Sequence, residues 1–193
     1  MAILTVFLLL LQAESSSKSA MLDNPYFHVS KNAAPCAAAA ARCGDRVIVA
    51  LGDVTFRGKQ MHRGDIVVFD ATDTYAPPTG RDYLEVALKP NHPPVQSPPV
   101  MIAPEKNDVL YDGAHLFIFE EKLDSGETRA RHSHRQRLVV VLNDTRLQQW
   151  PDGGPEVFKN QIPDDVHFNE PVIHKVKTIG EKPLRNIVIE LKP

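Results

Sequence analysis

An excess of charge of one sign is missing from this 193-residue chain: 22 Lys and Arg stand against 24 Asp and Glu, a formal net charge of −2. Affinity for nucleic acid comes largely from cations set against phosphates, so this balance gives no electrostatic case for such a partner. Beyond the N-terminus there is no apolar run of about 18 residues, which excludes an internal transmembrane helix. Long segments of helical period are also lacking, and short runs of Val, Ile, Leu and Phe punctuated by Gly, Pro, Asn and Asp take their place. The chain therefore reads as all-β. Cysteine is scarce too: Cys36 and Cys43 alone bracket the loop CAAAAARC. A disulfide would close that loop in an oxidising compartment, and a reduced, inert pair in a cytosolic protein fits two cysteines equally.

The N-terminus has a different character. Ala2 to Leu11 is apolar except for Thr5, and QAESSSKSA follows, with small residues near Ala13 and Ala20. This has the form of a signal-peptide core and cleavage region, although no Lys or Arg precedes the apolar run. The expectation is a signal over residues 1–20 and a periplasmic or secreted protein.

Blocks of sequence recur in order. RVIVALGD from Arg46 answers RLVVVLND from Arg137, GDIVVF from Gly64 answers DDVHFN from Asp164, and LEVALKP ending at Pro90 answers IVIELKP ending at Pro193. Upstream, DNPYFHV from Asp23 answers DGAHLFI from Asp112. An ordered series of this kind indicates two copies of one β unit, the second lengthened by hairpin insertions such as QWPDGG. Between them, KPNHPPVQSPPVMIAP carries six prolines from Pro90 to Pro104. Proline cannot donate to a ladder and favours extended chain, so residues 90–107 read as a semi-rigid linker between units at 23–89 and 108–193. The alanine-rich Ala33 to Cys43 reads as a short helix or a loop.

The chemistry-bearing feature is GETRARHSH, Gly126 to His134. Alternate residues of a strand face one side, so His132 and His134 can converge on one point. A third histidine, His174, lies in VIHKVKTIGEKPLRNIVIEL, where IGEKP reads as a turn returning toward the first pair. Two imidazoles from one strand and one from a distant strand can hold a metal ion inside a small barrel. His167 reads as a barrel-lining residue that could add a donor, and Gln136 shares parity with His134 and could add a neutral oxygen. His28, His62, His92 and His115 have no partners at ligand spacing.

The repeat and the histidine pattern together resemble the cupin superfamily, as two tandem cupin-type (double-stranded β-helix, jelly-roll) barrels over nearly all of the mature chain. Gly126, His132 and His134 match the opening of the family's first motif, a glycine, five residues and then His-X-His. Its glutamate is missing: the position falls on Leu138, Val139 or Arg137. The second motif is met less well by PDDVHFNEPVIHKVKT, where Pro163 and Pro171 replace glycines, Asn169 a proline and Thr178 an asparagine. The resemblance implies a metal site at His132, His134 and His174. In the first copy the corresponding positions fall on Ala41, Cys43 and near Thr74, so that unit is expected to keep the fold without metal. Arg46 repeats Arg137, so arginine there does not accompany the histidines and is expected to face outward or toward the other unit.

Neutral imidazoles without a carboxylate suit Zn, Fe, Cu or Ni, and lack the charge that helps to hold Mn. Such a site can polarise a carbonyl or activate water or dioxygen. Because cupins support many activities, three readings stand: a metal-dependent oxygenase or lyase acting on a small oxygenated substrate, a non-catalytic module for a small molecule, and a structural bicupin. Glu120, Glu121, Glu127 and Tyr111 are candidate acids or bases whose place relative to the barrel the sequence does not set. Oligomeric state is left open.

Overall fold

The computed structural model describes residues 20–37, 43–103 and 107–193. Residues 1–19, and with them almost all of the expected signal segment, lie outside the described residues, as does Ala41. No helix occurs among the described residues. The described part of the alanine-rich stretch is turn and coil, and Cys36 and Cys43 are joined by a disulfide across a Cα–Cα distance of 6.1 Å.

The first half of the chain forms β1 (Ala20–Asp23), β2 (Phe27–Lys31), β3 (Arg46–Ala50), β4 (Val54–Phe56), β5 (Lys59–Met61), β6 (Ile66–Phe69) and β7 (Tyr83–Leu88). Five of these make a sheet in the order β1-β2-β7-β3-β6, and β4 and β5 form a separate hairpin. Arg57 and Gly58, at φ 50° and 76°, turn that hairpin, since positive φ at both central residues matches the strand twist. The second half forms β8 (Asn107–Asp112), β9 (Leu116–Leu123), β10 (Thr128–His134), β11 (Arg137–Val141), β12 (Thr145–Pro151), β13 (Val157–Gln161), β14 (Val166–Asn169), β15 (Val172–Thr178) and β16 (Leu184–Leu191). They make one sheet in the order β14-β11-β16-β9-β8 and another in the order β10-β15-β12-β13. Proline-rich chain runs along the free edge of β10, where Ser133 N donates to Ile102 O and Gln136 N approaches Gln96 O.

The two five-stranded sheets stack face to face. Phe27, Val29, Val47, Val49, Leu84 and Val86 of one pack with Leu116, Ile118, Leu138, Val140, Ile187 and Ile189 of the other in a single apolar cluster. Burying one large aliphatic side chain contributes about 1.5–3 kcal/mol, so this layer is a principal source of stability. It also explains the lost alternation in RVIVA and RLVVV, every residue of which is buried: one face of each strand meets the other sheet and the opposite face meets its own unit's interior.

That double burial corrects the expectation for the repeated arginines. Arg46 shares parity with Ile48 and Ala50, is fully buried in the first unit, and donates to the carbonyls of Ala71 and Asp70 at 3.3 and 2.7 Å. Arg137, on the side opposite Leu138, is buried within the second unit at the cavity that His134 and His174 line. Neither faces outward or across the unit boundary.

Candidate metal centre

Three local features bring the histidines together. Gly126, at φ 78°, occupies a turn in which Glu127 N bonds Asp124 O at 3.0 Å, and a side chain there would be strained. Next comes a bulge: Arg129 pairs with Val176 and His132 with His174, so β10 has one residue more than β15 over this interval. An extra residue resets strand parity, and Arg129, His132 and His134 thereby share the inner face while Arg131 is exposed and pairs with Asp152 at 2.5 Å. Last, the β10–β15 register sets His132 directly opposite His174.

The three residues are 1 %, 2 % and 6 % exposed, and one ring nitrogen from each lies within 4.8 Å of those of the other two. The Nε2 atoms of His132 and His174 are 3.1 Å apart. His132 Nδ1 donates to Ala130 O at 2.8 Å, so in the neutral ring its Nε2 carries a lone pair. His134 Nδ1 lies 2.7 Å from Glu190 Oε1, which orients its Nε2 in the same way. In His132 and His134 the outer nitrogen is engaged, which is how imidazoles are prepared for a metal ion.

Electrostatics agree. Burial pushes His174 down to about 2, with repulsion from the neighbouring imidazoles adding to it. It also lowers His132 and holds His134 well below the ordinary range. All three are therefore neutral near pH 7, the form a metal requires. Burial raises Glu190 to about 7. Glu121, on the inner face of β9, is driven the other way: burial works to raise it, and attraction to the guanidinium groups of Arg129 and Arg137 outweighs that, holding the carboxyl below its ordinary range. It accepts from Arg129 at 3.2 Å and Asn186 at 3.3 Å. A cavity of about 50 Å3 lies against Glu121, His134, Arg137, Lys159, His174 and Asn186.

Other sequence candidates fall elsewhere. Gln136 lies beyond the end of β10, where the chain leaves one sheet for the next and parity is lost. Its amide accepts from Gln96 N and donates to Glu170. His167 stands opposite Val139 on β14 with Nε2 3.9 Å from Asp165, outside the imidazole cluster. His28, His62 and His115 face Asp23, Asp53 and Asp45, and His92 bonds Pro93 O. Of the four acid or base candidates, Glu121 alone reaches the cavity; Glu120 pairs with Arg185 and Lys122. Sequence reasoning missed Glu190, Lys159 and the inward aim of Arg137. An acid inside the apolar run IVIEL was the available signal for the first. Across β11–β16 the register pairs Arg137, one of the three residues on which the motif's glutamate position falls, with Glu190, so a carboxylate stands one strand over.

No family model matches the sequence, and no curated protein matches it. Among solved structures, the chain resembles a cupin 2 conserved barrel domain protein from Leptotrichia buccalis at 18% identity, over 89% of this chain and 86% of that one, with a TM-score of 0.51. It also resembles a cupin domain from Bordetella pertussis at 19% identity, over 49% of this chain and 98% of that one, with a TM-score of 0.43. A third resemblance is to Bacillus subtilis oxalate decarboxylase, a protein with Mn(II) centres, at 12% identity, over 77% of this chain and 64% of that one, with a TM-score of 0.44. The Leptotrichia likeness, spanning most of both chains, shows that this chain has the cupin fold.

Proposed function

We propose that this cupin-fold chain is an exported two-unit protein whose C-terminal unit, residues 108–193, binds one divalent transition metal, Zn, Fe, Cu or Ni, through His132, His134 and His174, and that it works as an oxygenase or lyase on a small oxygenated substrate. The carrying observation is the convergence of the three imidazoles: one ring nitrogen of each lies within 4.8 Å of the others, and Nδ1 of His132 and of His134 is held by Ala130 O and Glu190. A divalent ion held there supplies Lewis acidity toward a bound oxygen atom. Glu121, kept ionised by Arg129 beside the same cavity, is the group available to accept a proton. Arg129 and Asn186 fix its orientation.

Matching strand orders, β1-β2-β7-β3-β6 and β8-β9-β16-β11-β14, support reading residues 23–89 and 108–193 as copies of one unit. Among the described residues, no strand of the first unit corresponds to β10 or β15, the two that carry the histidines, which supports a first unit without metal. The Cys36–Cys43 disulfide supports export, since such bonds persist in oxidising compartments. A second reading, non-catalytic binding of a small molecule, is favoured by the small cavity and the deep burial of the imidazoles. Metal analysis of purified protein, alone and with all three histidines replaced by alanine, tests the proposal. One ion per wild-type chain and none in the triple variant is expected, and an ion retained by the triple variant refutes the assignment.

A further inference from the structure

Lys159 is the charged group inside the second unit that the metal reading leaves without a task. It lies on β13 opposite Leu147 of β12, while the flanking Phe158 is opposite Gln148. Leu147 belongs to an inward apolar cluster with Leu123, Val176 and Leu184, so Lys159 shares the inner face and lines the cavity with His134 and His174. Among the described residues no carboxylate is within ion-pair distance of its ammonium, whereas the other interior charges are engaged. Arg129 is held by Glu121, Asn107 Oδ1 and Lys122 O, and Arg137 donates to the carbonyls of Arg135 and Glu170. Glu190 is committed to His134, and Glu121 to Arg129 and Asn186.

The resulting charge balance is one-sided. Arg129, Arg137 and Lys159 face two carboxylates, Glu121 and Glu190, before any ion is added. A divalent ion on three neutral imidazoles increases the positive excess, and uncompensated charge in a site this buried is costly. An anion bound beside the metal offsets it. The cavity, about 50 Å3, has room for no more than a few water-sized groups, each needing about 10–15 Å3 on this measure. It therefore admits the head of a molecule only.

We infer that the group admitted beside the metal is the carboxylate of a small substrate, held by Lys159 Nζ with Arg137 behind it. This rests on the metal reading above and specifies its substrate as an acid. The ion itself favours an anion over a neutral molecule, so a lysine that only extended its ammonium to solvent along the barrel wall would leave acetate affinity unchanged on its replacement.

The test uses zinc-loaded full-length protein titrated with acetate and with acetamide, equal in shape and different in charge, followed by calorimetry and thermal melting. Acetate is expected to bind and raise the melting temperature, with acetamide at least tenfold weaker. Lys159→Met is expected to weaken acetate at least tenfold while zinc content stays at one per chain, and Lys159→Arg to restore most of the affinity. Acetate and acetamide binding alike, acetate failing to bind, or Lys159→Met binding acetate as tightly as wild type each overturn the inference. The acetate–acetamide comparison tests the substrate class on wild-type protein even if Lys159→Met does not fold, and the part played by Lys159 is then read from Lys159→Gln, expected to weaken acetate likewise. Zinc analysis separates the two levels: protein that takes up no zinc defeats the metal reading itself, while zinc-loaded protein indifferent to acetate defeats only the substrate class.

Discussion

Glu190 is the residue whose replacement most sharply separates metal binding from folding. Its carboxylate contacts His134 Nδ1 at 2.7 Å and is 4 % exposed. Removing the outer partner of a ligating imidazole costs 10–100-fold in metal affinity as a rule. Glu190→Gln keeps an acceptor oxygen in place and removes the charge, so about tenfold is expected, and Glu190→Ala, which loses both, about a hundredfold. With metal in excess, a ligand stabilises the folded state by RT ln(1 + [L]/Kd), so a tenfold loss lowers the metal-dependent stabilisation by about 1.4 kcal/mol. For a chain of this size that lowers the metal-induced rise in Tm by roughly 3–6 °C. The metal-free protein should respond oppositely. Burial raises Glu190 from 4.5 to about 7, so its favourable contribution is complete below 4.5 and is lost as pH rises through 7, an effect on the order of 3 kcal/mol. Glu190→Gln removes that loss, so above pH 7 the apo variant should be at least as stable as apo wild type. Melting curves with and without saturating zinc, at pH 8, measure both terms. A metal-induced rise in Tm unchanged in both variants would refute the role assigned to Glu190.

Acid should act on the apo protein through the imidazoles. Their folded pKa values lie below the ordinary 6.5, so their contribution is present above 6.5 and falls with pH below it, by as much as about 1.4 kcal/mol per pH unit for each; urea titrations from pH 7 to 5 on wild type and His174→Asn should show a shallower slope in the variant. Leu138, fully buried where the two sheets stack, should cost about 2–5 kcal/mol on change to alanine, and chemical denaturation should still show one transition for both units; separate transitions would mean the sheets fold independently. Replacing Cys36 and Cys43 with serine opens a loop with a sequence separation of 7, which loop-closure entropy values at about 2–3 kcal/mol. Calorimetry of this variant checks that figure, and an unchanged Tm would contradict it.

Much of the fold was legible because strand signals are local. RVIVA, RLVVV and IVIEL are short β-branched runs between turn residues, and each is a strand. His132 and His134 were legible as a pair because alternation holds along β10 from the bulge to its end. What alternation could not convey was the inward aim of Arg46 and Arg137. When both faces of a sheet are buried, period two vanishes from the hydrophobicity pattern, and a charged residue in such a run carries no mark of which side it faces.

By itself the sequence determined the all-β class and the signal of a paired-histidine strand, because these depend on propensity, turn chemistry and spacing within short segments, whereas His174, 42 positions from His132, was added to the pair through the cupin resemblance. Only the tertiary structure decided the rest. The bulge between Arg129 and His132 depends on pairing with β15, the contact from Glu190 to His134 spans 56 positions, and Lys159 meets the imidazoles through β12 and β15. Each is an encounter between strands distant in sequence, and such encounters are set by sheet register and stacking, which local residue preferences do not encode.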